Sequence, residues 1–277
     1  MEIPAFAGMT SIEDGGLSPV TDLCQARRMS RISGRPAIST QHVYGLTLRI
    51  ARWREGAPGT PLLFLNGIGA DIAAAAPLLA QVHGREVWTL DMPGVGGSPD
   101  AMLPYAAPTM AAVVMEIAGR LGHKTLDVAG FSWGGALAQQ VAIQFPGRVR
   151  RLVLMATTPS VGAPGIGWAA LLDDDMLASG LRLPTATPLG LAYQSMAMTG
   201  WTSAAMLPRL KDVPVLVLMG ERDGVVPASH GQAIADLIDG AVLEVVPGSH
   251  LFPFTHAAAV SARINAFLDR PALQAAA

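Results

Sequence analysis

From Val43 onward the chain settles into short apolar runs that alternate with amphipathic ones. Leu46, Leu48 and Ile50 recur at every second position among polar or small residues, the period of a half-exposed strand, and this strand should end at Glu55-Gly56. Pro61-Leu62-Leu63-Phe64-Leu65 is apolar without a break and of strand length, as a parallel strand covered on both faces requires. Similar runs at 85–90, 125–129, 151–156, 213–219 and 241–246 predict further strands. Helical spacing occupies the intervals: 110–121, stopped by Gly122; the stretch after Gly135, where Leu137, Val141 and Phe145 share a face; 228–238; and 257–268. Strands alternating with helices through short loops predict an α/β architecture, a mostly parallel central sheet with helices on both faces.

Two stretches break this rhythm. Residues 1–38 mix Gly15-Gly16, Pro19, serines, threonines and the arginines 27, 28, 31 and 35 without sustained period, and are expected to form a disordered extension. Their opening resembles a short translated repeat found at misassigned bacterial start codons, which makes Met29 an alternative start. Between 157 and 205 no buried strand is visible. Trp168, Leu171, Leu172, Met176 and Leu177, then Met196, Met198 and Trp201, sit instead among glycines and prolines. A loop this long without structure is improbable, so a short helical cap is expected here, inserted into a core of 39–156 and 206–272. Following a strand's C-terminal end, it would overlie the ligand crevice of an open α/β sheet.

Composition narrows the function. A net charge of −2 with 14% charged residues leaves no basic field for nucleic acid. No run approaches the ~18 apolar residues of a membrane span. The single cysteine excludes an internal disulfide and a cysteine-based zinc cluster, and neither His-x-x-His nor a P-loop pattern occurs, so no metal or nucleotide cofactor is expected. The opening shows no basic stretch followed by an apolar core, and a reducing cytoplasm is the expected setting.

The chemistry centres on Gly130-Phe131-Ser132-Trp133-Gly134-Gly135, between a predicted strand and a predicted helix. G-x-S-x-G in that context marks a nucleophile elbow: a serine on a strained turn, its neighbours two residues away lacking Cβ, its hydroxyl at a helix N-terminus. A serine needs a base, and the base an orienter. His250 in Gly248-Ser249-His250 follows the last strand, and Asp223 in Gly220-Glu221-Arg222-Asp223-Gly224 follows the one before. The order Ser…Asp…His is that of α/β-hydrolases. Glu221 is the rival orienter and His256 the rival base, whereas Asp212 precedes its strand and Asp91 reads as a cap for the following glycine-rich turn. Oxyanion donors are expected from the backbone N–H of Trp133, after the nucleophile, and of Ile68 in Asn66-Gly67-Ile68-Gly69.

These motifs, with Asp91-Met92-Pro93-Gly94-Val95-Gly96-Gly97-Ser98, Ser132-Trp133-Gly134-Gly135-Ala136-Leu137-Ala138-Gln139-Gln140, Gly200-Trp201-Thr202-Ser203 and His250-Leu251-Phe252, resemble the intracellular poly(3-hydroxyalkanoate) depolymerases of the α/β-hydrolase superfamily. The resemblance spans about residues 46–268 apart from the insertion. It implies hydrolysis of the esters of a stored bacterial polyester by Ser132, Asp223 and His250, with no cofactor. Substrate contacts are expected at Asn66, Trp168, Met198, Trp201 and Leu251, and the apolar cap is expected to associate with polymer granules. Related polymer synthases carry Cys where Ser132 stands, which argues against polymerisation. The insertion is shorter than the family's cap. A small-molecule carboxylesterase or thioesterase is therefore the alternative reading, and a non-catalytic binding protein on the same fold the third. Oligomeric state has no signature in the sequence.

Overall fold

The computed structural model describes residues 34–162 and 185–271. Strand β1 (Ala37–Val43) lies at one edge, paired antiparallel to β2 (Leu46–Leu65) in the register Ala37↔Arg52 to Val43↔Leu46. β2 doubles back at its middle, where Arg54 and Gly56 adopt positive φ, so its two halves serve as separate strands. β3 (Arg85–Leu90) lies along both. It pairs antiparallel with the first half, Ile50↔Leu90 to Trp53↔Val87, and in ascending register with the second, Leu62↔Val87 to Phe64↔Thr89. From the second half the sheet continues in parallel through β4 (Leu126–Phe131), β5 (Val149–Met155), β6 (Val215–Gly220) and β7 (Val242–Val246).

The inner strands obey the period of two with both faces apolar. Leu63, Leu65, Val128, Leu152, Leu154, Val215 and Val217 point into one core. There they meet α2 (Ala107–Arg120), α3 (Trp133–Gln144) and α5 (Ala228–Leu237). The intervening Leu62, Phe64, Ala129, Val153, Met155, Leu216 and Leu218 face the other core, with α1 (Ile72–Leu79), the one-turn α6 (Phe252–Thr255) and α7 (Ala257–Leu268). Complete burial on both faces is what a parallel sheet between helix layers demands, and the α/β expectation holds.

Three elements escape the sequence pattern. β1 reads Ala-Ile-Ser-Thr-Gln-His-Val and is exposed along most of its length, so an edge strand paired on one side shows no apolar alternation and core structure begins before residue 39. α1 carries Pro77 in its interior and starts at Asp71, whose carboxylate accepts from the Ala74 amide. α6 is too short to show a period.

The rim at the N-terminal ends of the strands is pinned electrostatically. Asp127 at the start of β4 is buried and takes bonds from Arg85 at 3.0 Å and from Arg150 Nε at 2.8 Å. The Arg151 guanidinium donates to the carbonyls of Leu268 and Pro271, tying the end of α7 to β5. The opposite rim is left to the loops. Between β5 and β6 the described residues include α4 (Pro188–Met198) and a 3₁₀ turn, Leu207–Leu210. An isolated bridge, Ser160↔Thr202, joins the two ends of this stretch. The chain before α4 runs against the loop after β3, through the bridge Val95↔Ala186 and the bond from the Thr187 amide to the Gly94 carbonyl. The expectations for residues 1–33 and for 163–184, Trp168 among them, lie outside the described residues.

Candidate active site

Ser132 stands between β4 and α3 with φ 53° and ψ −118°, a backbone conformation that is a genuine outlier for a residue with a side chain. Packing holds it there. A Cβ on Gly130 would collide with the Gly134 carbonyl, and one on Gly134 with the carbonyls of Leu65 and Asn66, so strand and helix approach each other as only glycine allows. The Ser132 carbonyl accepts from the Gly135 amide and from the Thr157 hydroxyl, and its amide donates to Met155. The hydroxyl is thus fixed at the sheet's rim by bonds on both sides of its residue.

The loops after β6 and β7 bring the partners. His250 Nε2 lies 3.0 Å from Ser132 Oγ, and His250 Nδ1 lies 2.9 Å from Asp223 Oδ2 and 3.1 Å from Oδ1. Asp223 Oδ1 also accepts from the amides of Val225 and Val226, at 2.9 and 2.8 Å. Because the carboxylate only accepts, Nδ1 carries the imidazole proton and Nε2 is left to take one from the serine. Phe131 packs against the imidazole, ring centroids 5.0 Å apart. Asp223 and His250 are buried. Glu221 is exposed and His256 caps α7, its ring bonded to Thr255; neither joins this row. Asp91 accepts from the amides of Ile72 and Gly97 and from Arg49, and so organises the glycine-rich turn. Burial pushes its pKa up, against the pull of those amides and of the Arg49 charge.

A cavity of about 290 Å³ opens on Ser132, lined by Ile68, Trp133, Thr157, Met198 and Val226, among others. The amides of Ile68 and Trp133 donate to no protein acceptor among the described residues, which leaves both free for an anion. Three expected substrate contacts are placed elsewhere. Asn66 is buried, and its side-chain amide donates to the Asp71 carbonyl, holding the loop before α1. Trp201 packs on the core with its indole N–H on Gln140, off the cavity lining. Leu251 is buried in the other core, because α6 turns the chain under the sheet immediately after His250. Met198 lines the cavity, and Trp168 lies outside the described residues.

Sequence reasoning missed Thr157 and Gln194. Thr157 follows β5 at the same rim as the other site residues, a position that could have flagged it. Gln194 had no such signal. It lies within α4, fully buried, its Oε1 accepting from the Gly69 amide at 3.1 Å and its carbonyl from the Trp133 indole at 2.9 Å.

Among the described residues, seven helices around a mostly parallel sheet, with a serine elbow at the strands' C-terminal rim, define a class, and the comparisons with known proteins agree. The sequence profile described as alpha/beta hydrolase fold matches residues 60–189. The chain belongs to the α/β-hydrolase superfamily. Within it, the chain is 32% identical over 248 residues to a poly(3-hydroxyalkanoate) depolymerase of Ectopseudomonas oleovorans, covering 78% of this chain and 87% of that one. A solved hydrolase from Pseudomonas aeruginosa is 26% identical, covering 84% of this chain and 98% of the other with a TM-score of 0.67. The enol-lactonase of Burkholderia xenovorans, at 22% identity, 84% and 100% coverage and a TM-score of 0.74, shares the fold. No helix among the described residues is long and apolar enough to cross a membrane.

Proposed function

We propose that this protein is a serine ester hydrolase that cleaves poly(3-hydroxyalkanoate) or its oligomers through an acyl-enzyme. The observation that carries the reading is the continuous hydrogen-bonded row from Ser132 through His250 to Asp223. Ser132 Oγ attacks the ester carbonyl as its proton passes to His250 Nε2, and the carbonyl π pair moves onto oxygen. The amides of Ile68 and Trp133 receive that oxyanion; one such donor is worth about 10²–10³ in turnover. Collapse expels the alkoxide, which takes the proton from His250, and leaves Ser132 acylated. Water then repeats the sequence against the acyl group and frees the acid. Asp223 holds the imidazole in the tautomer that makes this possible. No step calls for a cofactor.

The polyester is favoured by the 32% identity to a protein of that name. Exposed apolar side chains support action at a polymer surface in the cytoplasm. Met102 and Leu103 project from a loop whose Asp100 and Tyr105 touch α4 at Thr187 and Tyr193, and Leu189 and Met196 are exposed on α4 itself. We take 157–205 as the cap over the site. A second reading, a small-molecule carboxylesterase or thioesterase, draws on the cavity, whose volume of about 290 Å³ suits a short acyl group. Product analysis on defined polyesters and on soluble short-chain esters, wild type beside Ser132→Ala, separates them. Release of hydroxy acids from polymer by the wild type alone supports the first. Turnover of soluble esters with polymer untouched supports the second.

A further inference from the structure

We propose that Gln194 is a positioning residue that holds the oxyanion hole in register, so that α4 governs turnover as well as access. The inference rests on Ser132 being the nucleophile and goes beyond that reading.

The two oxyanion amides belong to segments far apart in the chain, the turn at Gly67–Ala70 and the first residue of α3. Gln194 touches both. Its side-chain oxygen accepts from the Gly69 amide, and its main-chain carbonyl accepts from the Trp133 indole. The turn's own main-chain bond, Ala70 amide to Gly67 carbonyl, is long at 3.2 Å, and Gly69 sits at φ +67°, where glycine has alternatives. Fixing the Gly69 N–H fixes the Ile68–Gly69 peptide plane. That occupies the Gly69 amide and, through the shared Ile68 Cα, restrains the preceding peptide, whose Ile68 N–H is the oxyanion donor of the proposed reaction. The Gly69 carbonyl is held independently by the Thr185 amide and hydroxyl, at 2.8 and 3.1 Å. The whole Gly69 unit is therefore clamped by the segment leading into α4 and by α4 itself.

Burial adds weight to the arrangement. Gln194 is fully buried, and its Nε2 has no hydrogen-bond partner among the described residues. Leaving a buried donor unpaired is costly, and an apolar residue of equal length would avoid the cost. What glutamine supplies here is the acceptor for Gly69.

The test uses the full chain. Wild type is first labelled with a fluorophosphonate, and absence of label on Ser132 would overturn the serine reading and this inference with it. Given labelling, Gln194→Met removes the acceptor at similar length, and Gln194→Glu restores one that burial keeps neutral. The readouts are kcat and KM on a soluble ester, affinity for an alkyl trifluoromethyl ketone, whose Ser132 adduct carries an oxyanion, and affinity for the matching alcohol, which forms none. We expect Gln194→Met to lose about tenfold or more in kcat and in ketone affinity, with KM and alcohol affinity within about twofold. Gln194→Glu should recover most of both. Unchanged kcat in Gln194→Met, or equal losses in ketone and alcohol affinity, would overturn the proposal while leaving the serine reading intact. If Gln194→Met does not fold, Trp133→Phe cuts the other tie while keeping the Trp133 amide. A parallel fall in kcat and ketone affinity supports the proposal, and no change in either overturns it.

Discussion

Asp223 Oδ1 accepts from two main-chain amides, Val225 and Val226, while Oδ2 faces His250 Nδ1 at 2.9 Å. The two oxygens are therefore not interchangeable. In Asp223→Asn the amides claim the side-chain oxygen, and the NH₂ group is turned toward Nδ1. The imidazole must then carry its proton on Nε2, where it cannot accept one from Ser132. Turnover should fall by about 10⁴ with little change in melting temperature. Ester hydrolysis and thermal unfolding of the purified variant check this, and a loss below tenfold would mean that Asp223 does not orient the base.

Gly134 lies against the carbonyls of Leu65 and Asn66. Gly134→Ala must push α3 away from β2, which relaxes the elbow and moves Ser132 off His250. Alanine normally favours a helix over glycine by about 1 kcal/mol, so the local preference predicts stabilisation and the packing predicts the reverse. We expect a lower melting temperature and at least a tenfold loss of hydrolysis, read by calorimetry and a soluble ester assay.

Glu86 contributes one part of the pH dependence of stability. Burial alone would raise its pKa, but hydrogen bonds from His123, Arg52 and the Gly56 amide, with the Arg52 charge, bring it down to about 2. A carboxylate depressed in the folded state stabilises the fold above its unfolded pKa of about 4.3, and that contribution is lost as pH falls through the folded value. Glu86→Gln should therefore be less stable than wild type at pH 7, by on the order of 2–3 kcal/mol. The gap should close between about pH 4.5 and pH 2. Urea unfolding of both proteins across that range measures it.

Met102 and Leu103 are 93% and 76% exposed. Changing both to serine removes apolar surface without touching Ser132 or the cavity lining. Binding to purified polymer granules should weaken by about tenfold, while hydrolysis of a soluble ester stays within about twofold. Co-sedimentation and the soluble assay together report both.

The chain's own pattern disclosed the strands that are buried on two faces, since each is a continuous apolar run. It also pointed to Ser132, Asp223 and His250, because each follows a run read as a strand and the rim where strands end is where this architecture puts chemistry. β1 stayed hidden because an edge strand of Ala-Ile-Ser-Thr-Gln-His-Val has no buried face to mark it. Leu251 stands next to His250 in the sequence, yet one turn of α6 sends it into the opposite core. Gln194 could not be read at all. Its importance lies in contacts with Gly69 and Trp133, 125 and 61 positions away, and no local spacing encodes them.

The serine is tested most directly by treating the folded protein with a fluorophosphonate and mapping the mass increase by peptide analysis while following residual ester hydrolysis. The increase should fall on the peptide holding Ser132, in proportion to lost activity, and should be much slower in His250→Ala. Full hydrolysis by protein carrying one phosphonyl group on Ser132, or an active protein in which Ser132 never reacts, would contradict it.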